Sequence, residues 1–156
     1  MDYRFALLDE EEVERIISWK YDGIYSFYDM EADDEDLQEF RENAANNKNY
    51  WGVYEANILI GFFTFIEGSK GTVEIGLGLS PQQVGIGKGY DFLHAGLQKA
   101  HELYRPTTLE MAVAEFNQRA INVYLKAGFA ITHSFIQRTN GGEYTFIRMR
   151  KDSGLI

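Results

Sequence analysis

The 156 residues contain no cysteine. That removes disulfides, thiolate metal sites and any cysteine nucleophile. Cations are scarce: Lys plus Arg is 15 against 24 for Asp plus Glu, a formal net charge of -9. A chain this acidic is repelled by nucleic-acid phosphates and by anionic membrane surfaces, so neither is expected as a partner. Long apolar runs are missing too. The longest nearly apolar stretch, Ile58 to Ile66, is about half of what a membrane-spanning helix needs. The start Met1-Asp2-Tyr3-Arg4 has no basic n-region and no apolar h-region, so no secretory signal is expected. What is present suits a packed core: 45% hydrophobic and 15% aromatic residues, with charged residues at only 25%. At roughly 150 residues per domain, the expectation is one soluble, cytoplasmic domain over residues 1–156.

The charge is uneven. Through Glu42 there are 15 acidic residues and 4 basic ones, a balance of -11, and from Asn43 onward 9 and 11, a balance of +2. Asp9 to Glu14 and Asp33 to Glu42 read either as solvated helix faces or as an acidic rim that attracts a cationic substrate.

Tyr3 to Leu8 reads as a short strand. Asp9 can cap a helix from Glu10 to about Ser18 that turns Val13, Ile16 and Ile17 to one face. Trp19 to Tyr28 is aromatic without clean periodicity. A second helix starts near Asp33 or Asp34, carries Leu37 and Phe40 inward and ends around Asn46. Tyr50 to Glu55, Ile58 to Glu67 and Thr72 to Leu79 form an antiparallel meander, with turns at Ala56-Asn57 and at Gly68 to Gly71. Gly89 to Tyr104 is a helix closed by Pro106, Thr108 to Ala114 a strand, and Asn117 to Ala127 a helix stopped by Gly128. Ala130 to Thr139 and Glu143 to Lys151 are the last strands, around Asn140-Gly141-Gly142. The fold class is α/β (α+β): a mixed, mostly antiparallel sheet of six to seven strands with about four flanking helices. The Gly89 helix makes a crossover, so the strands at Thr72 and Thr108 should run parallel.

The segment from Thr72 to Gly89 carries the most chemistry. A strand runs into a loop with Gly85, Gly87 and Gly89, and a helix follows at once. Such a loop lets backbone N–H groups converge on a phosphate, aided by the helix dipole, with few basic side chains. It also reads as a plain Gly-rich turn. A Walker loop is excluded, because Gln82 stands five residues before Gly87-Lys88 and Gly89 follows. The spacing also misses the dinucleotide fingerprint, although Glu110 lies about 20 residues on. In the segment Glu115 to Phe129, Asn117 suits an N-cap that accepts from the N–H near Ala120. Ile121 and Leu125 share an apolar face, Tyr124 lies further along the helix, and Gly128-Phe129 returns the chain to a strand.

Together these segments resemble the GNAT superfamily, the Gcn5-related N-acetyltransferases. The resemblance spans the chain in element order and Val73 to Phe129 in motifs. The family's coenzyme A loop, [Arg/Gln]-x-x-G-x-[Gly/Ala], fits in two frames. Gln82 to Gly87 matches the letters, while Val84 to Gly89 better matches the distances from Pro81 and to Phe92-Leu93 and is preferred. The second frame leaves Val84 in place of a polar residue. The family's N-x-x-A-x-x-x-Y-x-x-x-G-F is matched by Asn117, Ala120, Tyr124, Gly128 and Phe129.

The resemblance implies acetyl-CoA as donor, a primary amine as acceptor and direct transfer in a ternary complex. The absence of cysteine independently excludes an acyl-cysteine relay. By resemblance, Tyr124 is the general acid at the CoA sulfur; a core tyrosine with a satisfied hydroxyl is the alternative. Glu74 is the candidate for amine deprotonation, directly or through water, or else a strand carboxylate facing water or paired with Arg or Lys. Backbone groups of Leu77, Gly78 and Leu79 would hold the pantetheine and acetyl oxygen, at a bulge that Gly76 and Gly78 make easy. The cofactor residues are completed by Val84, Gly85, Ile86, Gly87, Lys88, Gly89, Asn117 and Ala120. Trp19, Tyr21, Tyr25 and Tyr28 fall in the family's variable acceptor region. The chain looks similar to the branch labelled ribosomal-protein or peptide α-amine acetyltransferases, with antibiotic, polyamine, amino-acid and peptide acceptors all open. Monomer and homodimer are both open. His94, His101 and His133 show no metal spacing and read as surface residues, so no metal is expected. The alternative function is a non-catalytic acyl-CoA-binding sensor or assembly domain.

Overall fold

The computed structural model describes residues 2–152. In chain order it forms β1 (Arg4–Leu7), α1 (Glu10–Ile17), two 3-10 turns (Gly23–Tyr28 and Met30–Ala32), α2 (Asp34–Asn43), β2 (Tyr50–Glu55), β3 (Ile58–Glu67), β4 (Thr72–Leu79), α3 (Gly89–Tyr104), β5 (Thr108–Ala114), α4 (Gln118–Lys126), β6 (Ala130–Thr139) and β7 (Gly142–Asp152). The strands make one seven-stranded mixed sheet in the order β1-β2-β3-β4-β5-β7-β6. β1 runs antiparallel to β2 and β5 antiparallel to β7. β4 and β5 are parallel, as a strand–helix–strand crossover requires.

Contacts group the described residues into two compact units. The first holds residues 2–63, Leu77–Val84 and Arg138–Glu143; the second holds Thr64–Gly76, Gly85–Gln137 and residues 144–152.

In the first unit, Leu8, Val13, Ile16, Ile17, Phe40, Ala44, Tyr54 and Leu59 form a buried cluster, with Trp19, Met30, Leu37, Tyr50 and Phe62 packed against it. The α1 face is the one its spacing predicts. The helix is started by a capping box: Asp9 accepts from the Glu12 N–H at 2.8 Å, and Glu12 accepts from the Asp9 N–H at 2.9 Å. α2 is shorter than the sequence suggests, because Asn46 takes a left-handed φ of 55 and its N–H leaves the helix to reach the Leu8 carbonyl at 2.7 Å. The aromatic stretch after Trp19 winds into a 3-10 turn rather than staying irregular. The β2–β3 turn has φ of 50 and 65 at Ala56 and Asn57, both positive as a two-residue type I′ hairpin demands.

In the second unit, Phe65, Val73, Ile75, Phe92, Leu93, Leu97, Leu109, Met111 and Met149 are buried. Val73 and Ile75 alternate with half-buried Thr72 and Glu74, the period-2 signature of a strand with one buried face. β4 is continuous from Thr72 to Leu79 and includes Gly76 and Gly78. Its register with β5 stops at Glu74↔Glu110, whereas β5 stays paired with β7 through Ala114. Leu77, Gly78 and Leu79, at the end of β4, belong to the first unit.

Candidate active site

In the second unit, the Gly85–Gly89 loop leads into α3. Gly85 and Gly87 have φ of +74 and +83, a left-handed region where side chains are strained. A Cβ at Gly87 would meet no protein atom within 4 Å, so its surroundings are open to a ligand. Gly89 does something else. A Cβ there would lie 3.4 Å from the Val123 side chain, so this glycine serves the close packing of α3 on α4. α3 begins at Gly89, the last residue of the Val84–Gly89 frame, and its N-cap Lys88 makes no side-chain capping bond. The first-turn N–H groups thus lack the usual side-chain acceptor, which favours an anion there. Val84 and Lys88 are half-buried and Ile86 is exposed.

α4 is set by its two ends. Asn117 caps it, accepting from the Ala120 N–H at 3.1 Å. At the other end Gly128 has a φ of +100, and a Cβ there would come within 2.6 Å of the Lys151 ammonium. That ammonium donates to the Ala127 carbonyl at 2.9 Å, a cation on the negative end of the helix dipole. Gly128 is thus called for by its backbone conformation, while the Lys151 ammonium, at the end of a flexible side chain, caps the helix beside it. Between the ends Tyr124 is buried, 8% exposed, with its ring centroid 6.4 Å from that of Phe129.

Glu74 is half-buried on β4, with its carboxylate 3.4 Å from the Arg148 guanidinium. Its β5 register partner is Glu110, and Glu110 in turn sits opposite Arg150 on β7. Of the two arginines on β7, Arg148 pairs with Glu74, while Arg150 donates to the Thr108 hydroxyl at 3.4 Å. Arg148 also lies 5.6 Å from the Phe135 ring. Glu74 is thus both ion-paired and in reach of water.

In the first unit the four aromatic candidates divide. Trp19 packs on Phe62 at 6.3 Å between ring centroids, as part of the core. Tyr21 donates its hydroxyl to the Leu79 carbonyl at 2.6 Å and its N–H to Asp29 at 2.8 Å. Burial first, and then the Asp29 charge, push the Tyr21 phenol well above its ordinary pKa, so it stays a neutral donor. It fastens the aromatic turn to the end of β4. Tyr25 is half-buried, and Tyr28 is 38% exposed with its ring edge-on to Phe27.

Three features escape sequence reasoning. Asp33 caps α2 through the Asp36 N–H at 2.9 Å and also accepts from the Asn140 N–H at 2.9 Å and the Thr139 hydroxyl at 3.1 Å. The Asn140 amide then donates to the Phe27 carbonyl at 2.7 Å, so the β6–β7 turn is bonded to the aromatic segment. Residues 106 and 107 positions apart leave no local signal of this. Gln83 is the second feature: its buried Oε1 has no partner, an acceptor for which no protein donor is provided. Gln83 lies inside the Gln82–Gly87 frame and outside the preferred one. The third is Arg119, whose Nη1 lies 3.5 Å from the Cβ position of Gly85.

Among the described residues no group of three or more His, Asp or Glu is arranged to hold a metal ion, and no helix is long and apolar enough to cross a membrane. His94, His101 and His133 are exposed.

A family model described as acetyltransferase (GNAT) domain matches residues 1–130. A search among curated protein sequences finds no match. Solved structures share the fold. A chimera of the Vibrio cholerae spermidine N-acetyltransferase SpeG with hSSAT superposes with a TM-score of 0.79 at 18% identity, over 98% of this chain and 96% of that one. The Vibrio cholerae spermidine N-acetyltransferase in complex with CoA and spermine gives 0.77 at 16% identity, over 97% and 95%. A GNAT-family acetyltransferase from Bacillus anthracis gives 0.75 at 14%, over 98% and 96%.

Proposed function

The chain belongs to the GNAT acetyltransferase family, and from that premise we propose that it moves an acetyl group from acetyl-CoA directly to a primary amine. The observation that carries this reading is the loop of the second unit. Gly85 and Gly87 hold left-handed conformations, the space about Gly87 is open, and the first turn of α3 has no side-chain cap. Those features fit a pyrophosphate held by backbone N–H groups of Gly85 to Gly89. The buried, unpartnered Gln83 Oε1 supports a ligand donor in the same stretch of chain. Asn117 and Ala120, at the start of α4, complete the proposed cofactor residues, with Val84, Ile86 and Lys88 from the loop.

When bound, acetyl-CoA supplies a thioester carbonyl as electrophile. The chain's own residues handle protons and orientation. N–H groups of Leu77, Gly78 and Leu79, at the end of β4, would hold the pantetheine arm and the acetyl oxygen. Glu74 accepts the ammonium proton through water, with its Arg148 partner orienting the carboxylate. The neutral amine would then bond to the acetyl carbon as the carbon–sulfur bond breaks; Tyr124 would give its hydroxyl proton to the departing sulfur, and the second proton lost from the nitrogen would restore the Tyr124 hydroxyl.

The acceptor proposed is a cationic amine, a polyamine or a basic peptide. The aromatic residues Tyr25 and Tyr28 and the acidic first 42 residues both favour an alkylammonium on approach. This is the chemical class of the spermidine named for two of the structural neighbours. Screening polyamines, peptide α-amines, amino acids and aminoglycosides for release of free CoA thiol tests the reading. Turnover with a cationic amine is expected. Tight acetyl-CoA binding without turnover on any amine would instead favour a sensor.

A further inference from the structure

We infer that Asn140, in the β6–β7 turn of the first unit, is a site of spontaneous deamidation whose rate is set by the bonds it makes and whose product cannot make them again. Asn140 is the only asparagine of the chain that a glycine follows. That glycine has no side chain to shield its nitrogen, and a Cβ on Gly141 would meet no atom within 4 Å, so the turn is uncrowded there. The reaction needs only water. The Gly141 backbone nitrogen bonds to the Asn140 Cγ, the Cγ–Nδ2 bond breaks, and Nδ2 leaves as ammonia with the proton that the backbone nitrogen gave up. Water then opens the cyclic imide at either carbonyl, leaving aspartate or isoaspartate at position 140.

Turn geometry does not by itself account for an amide at this position. Asn140 and Gly141 have φ of 51 and 76, the two positive values of a type I′ hairpin. The β2–β3 turn reaches the same form with Ala56 at its first position, so no side-chain amide is required there. In the β6–β7 turn the amide is put to use. Its Nδ2 donates to the Phe27 carbonyl at 2.7 Å and its Oδ1 accepts from the Thr139 hydroxyl at 2.9 Å, while the Asn140 backbone N–H donates to Asp33 at 2.9 Å. An amide bonded at both ends is not free to rotate toward the Gly141 nitrogen, so the reaction waits until this latch opens. Once it has run, the latch cannot reclose. A carboxylate has no hydrogen to give the Phe27 carbonyl, and its new charge falls beside the Asp33 carboxylate. Isoaspartate also lengthens the backbone of a two-residue turn and so disturbs the register of its strands. Deamidation thus cuts the β6–β7 turn loose from the aromatic segment that carries Tyr25 and Tyr28.

The test is peptide mass mapping of the full chain after incubation at mildly alkaline pH, reading the mass gain of an amide-to-acid exchange at each asparagine. Wild type should gain at Asn140 ahead of every other asparagine. Asp33→Ala removes the acceptor of the Asn140 N–H and of the Thr139 hydroxyl. It should speed the gain at Asn140 about fivefold, the factor that follows from losing a solvent-exposed pair of hydrogen bonds. Asp9→Ala removes a cap of α1 and no bond of the turn, so it should leave that rate unchanged and separates opening of the latch from general loss of stability. Asn140→Asp stands for the product and should melt several degrees below wild type. Mass gain at another asparagine before Asn140, equal rates in wild type and Asp33→Ala, or the same acceleration in Asp9→Ala would overturn the inference. So would an Asn140→Asp chain that melts with wild type, since the product would then keep the latch.

Discussion

Replacing Asp33 by alanine should cost about 2 kcal/mol at neutral pH, although Asp33 lies on the surface in an acidic run. Its carboxylate ends the free N–H of Asp36 in the first turn of α2, and losing such a cap costs about 1 kcal/mol. Its other oxygen accepts from the Asn140 N–H and the Thr139 hydroxyl. Hydrogen bonds to a charged group are worth more than neutral ones, but water replaces these readily once they are lost. About 1 kcal/mol for the two together is a fair discount for solvent. For a chain of this size that total lowers the melting temperature by roughly 4–8 °C. The pH dependence gives a second check. The N–H of Asp36, then that of Asn140, hold the carboxyl below its ordinary pKa. A carboxylate depressed in the folded state contributes fully above the unfolded value of about 3.9 and loses that contribution as pH falls through the folded value. Wild type and Asp33→Ala should therefore differ by a constant amount from pH 5 to 8 and converge in acid. Urea melts across that range supply both numbers. In a double-mutant cycle, Asp33→Ala and Thr139→Val should couple by about 0.5 kcal/mol or more. A loss under about 0.5 kcal/mol at pH 7, or a gap undiminished at pH 2, would refute the reasoning.

Three further outcomes are expected. Tyr124→Phe should keep acetyl-CoA affinity by calorimetry and lower kcat by about 100-fold on any amine that turns over; unchanged turnover would remove Tyr124 from the reaction. Gly87→Val should retain the fold, since a Cβ there meets no atom within 4 Å. A β-branched residue at φ +83 is a genuine outlier, so CoA affinity should fall at least tenfold, and wild-type affinity would refute the loop assignment. Neutralising Asp34, Glu35 and Asp36 together, with Asp33 left intact as the cap, should lower kcat/KM for a cationic amine mainly at low salt, because a Debye length of about 8 Å screens exposed charge at physiological strength. A flat salt profile identical to wild type would mean that the run is only a solvated helix end.

What the sequence disclosed and what it concealed follow from the range of the forces involved. The bounds of β4, α3 and β5 were readable to the residue, because alternation, helical spacing and Gly or Pro breaks all agree there. The caps at Asp9 and Asn117 were readable because an N-cap bonds within three residues. The glycines of the loop declared themselves as a group, yet not their separate tasks: Gly85 and Gly87 for conformation, Gly89 for the approach of Val123. Nothing in the acidic run distinguished Asp33 from its neighbours, since its partners at Thr139 and Asn140 arrive only when the β6–β7 turn is folded.

The same distinction changes how the acidic segment should be understood. Burial, followed by the charges of Asp33, Glu39 and Glu35, raises the Asp36 pKa, while hydrogen bonding lowers that of Asp33. Four consecutive acids therefore do not act as one field. Asp33 is spent on structure and, through Asn140, on the Phe27 carbonyl beside Tyr28. Its like charge disfavours ionisation of Asp36. The carboxylates left to draw in an ammonium ion are fewer than the net charge suggests, and any steering they give should be correspondingly weaker than a count of acids implies. Position along the helix, more than the number of charges, divides the run between holding the aromatic segment in place and attracting a substrate to it.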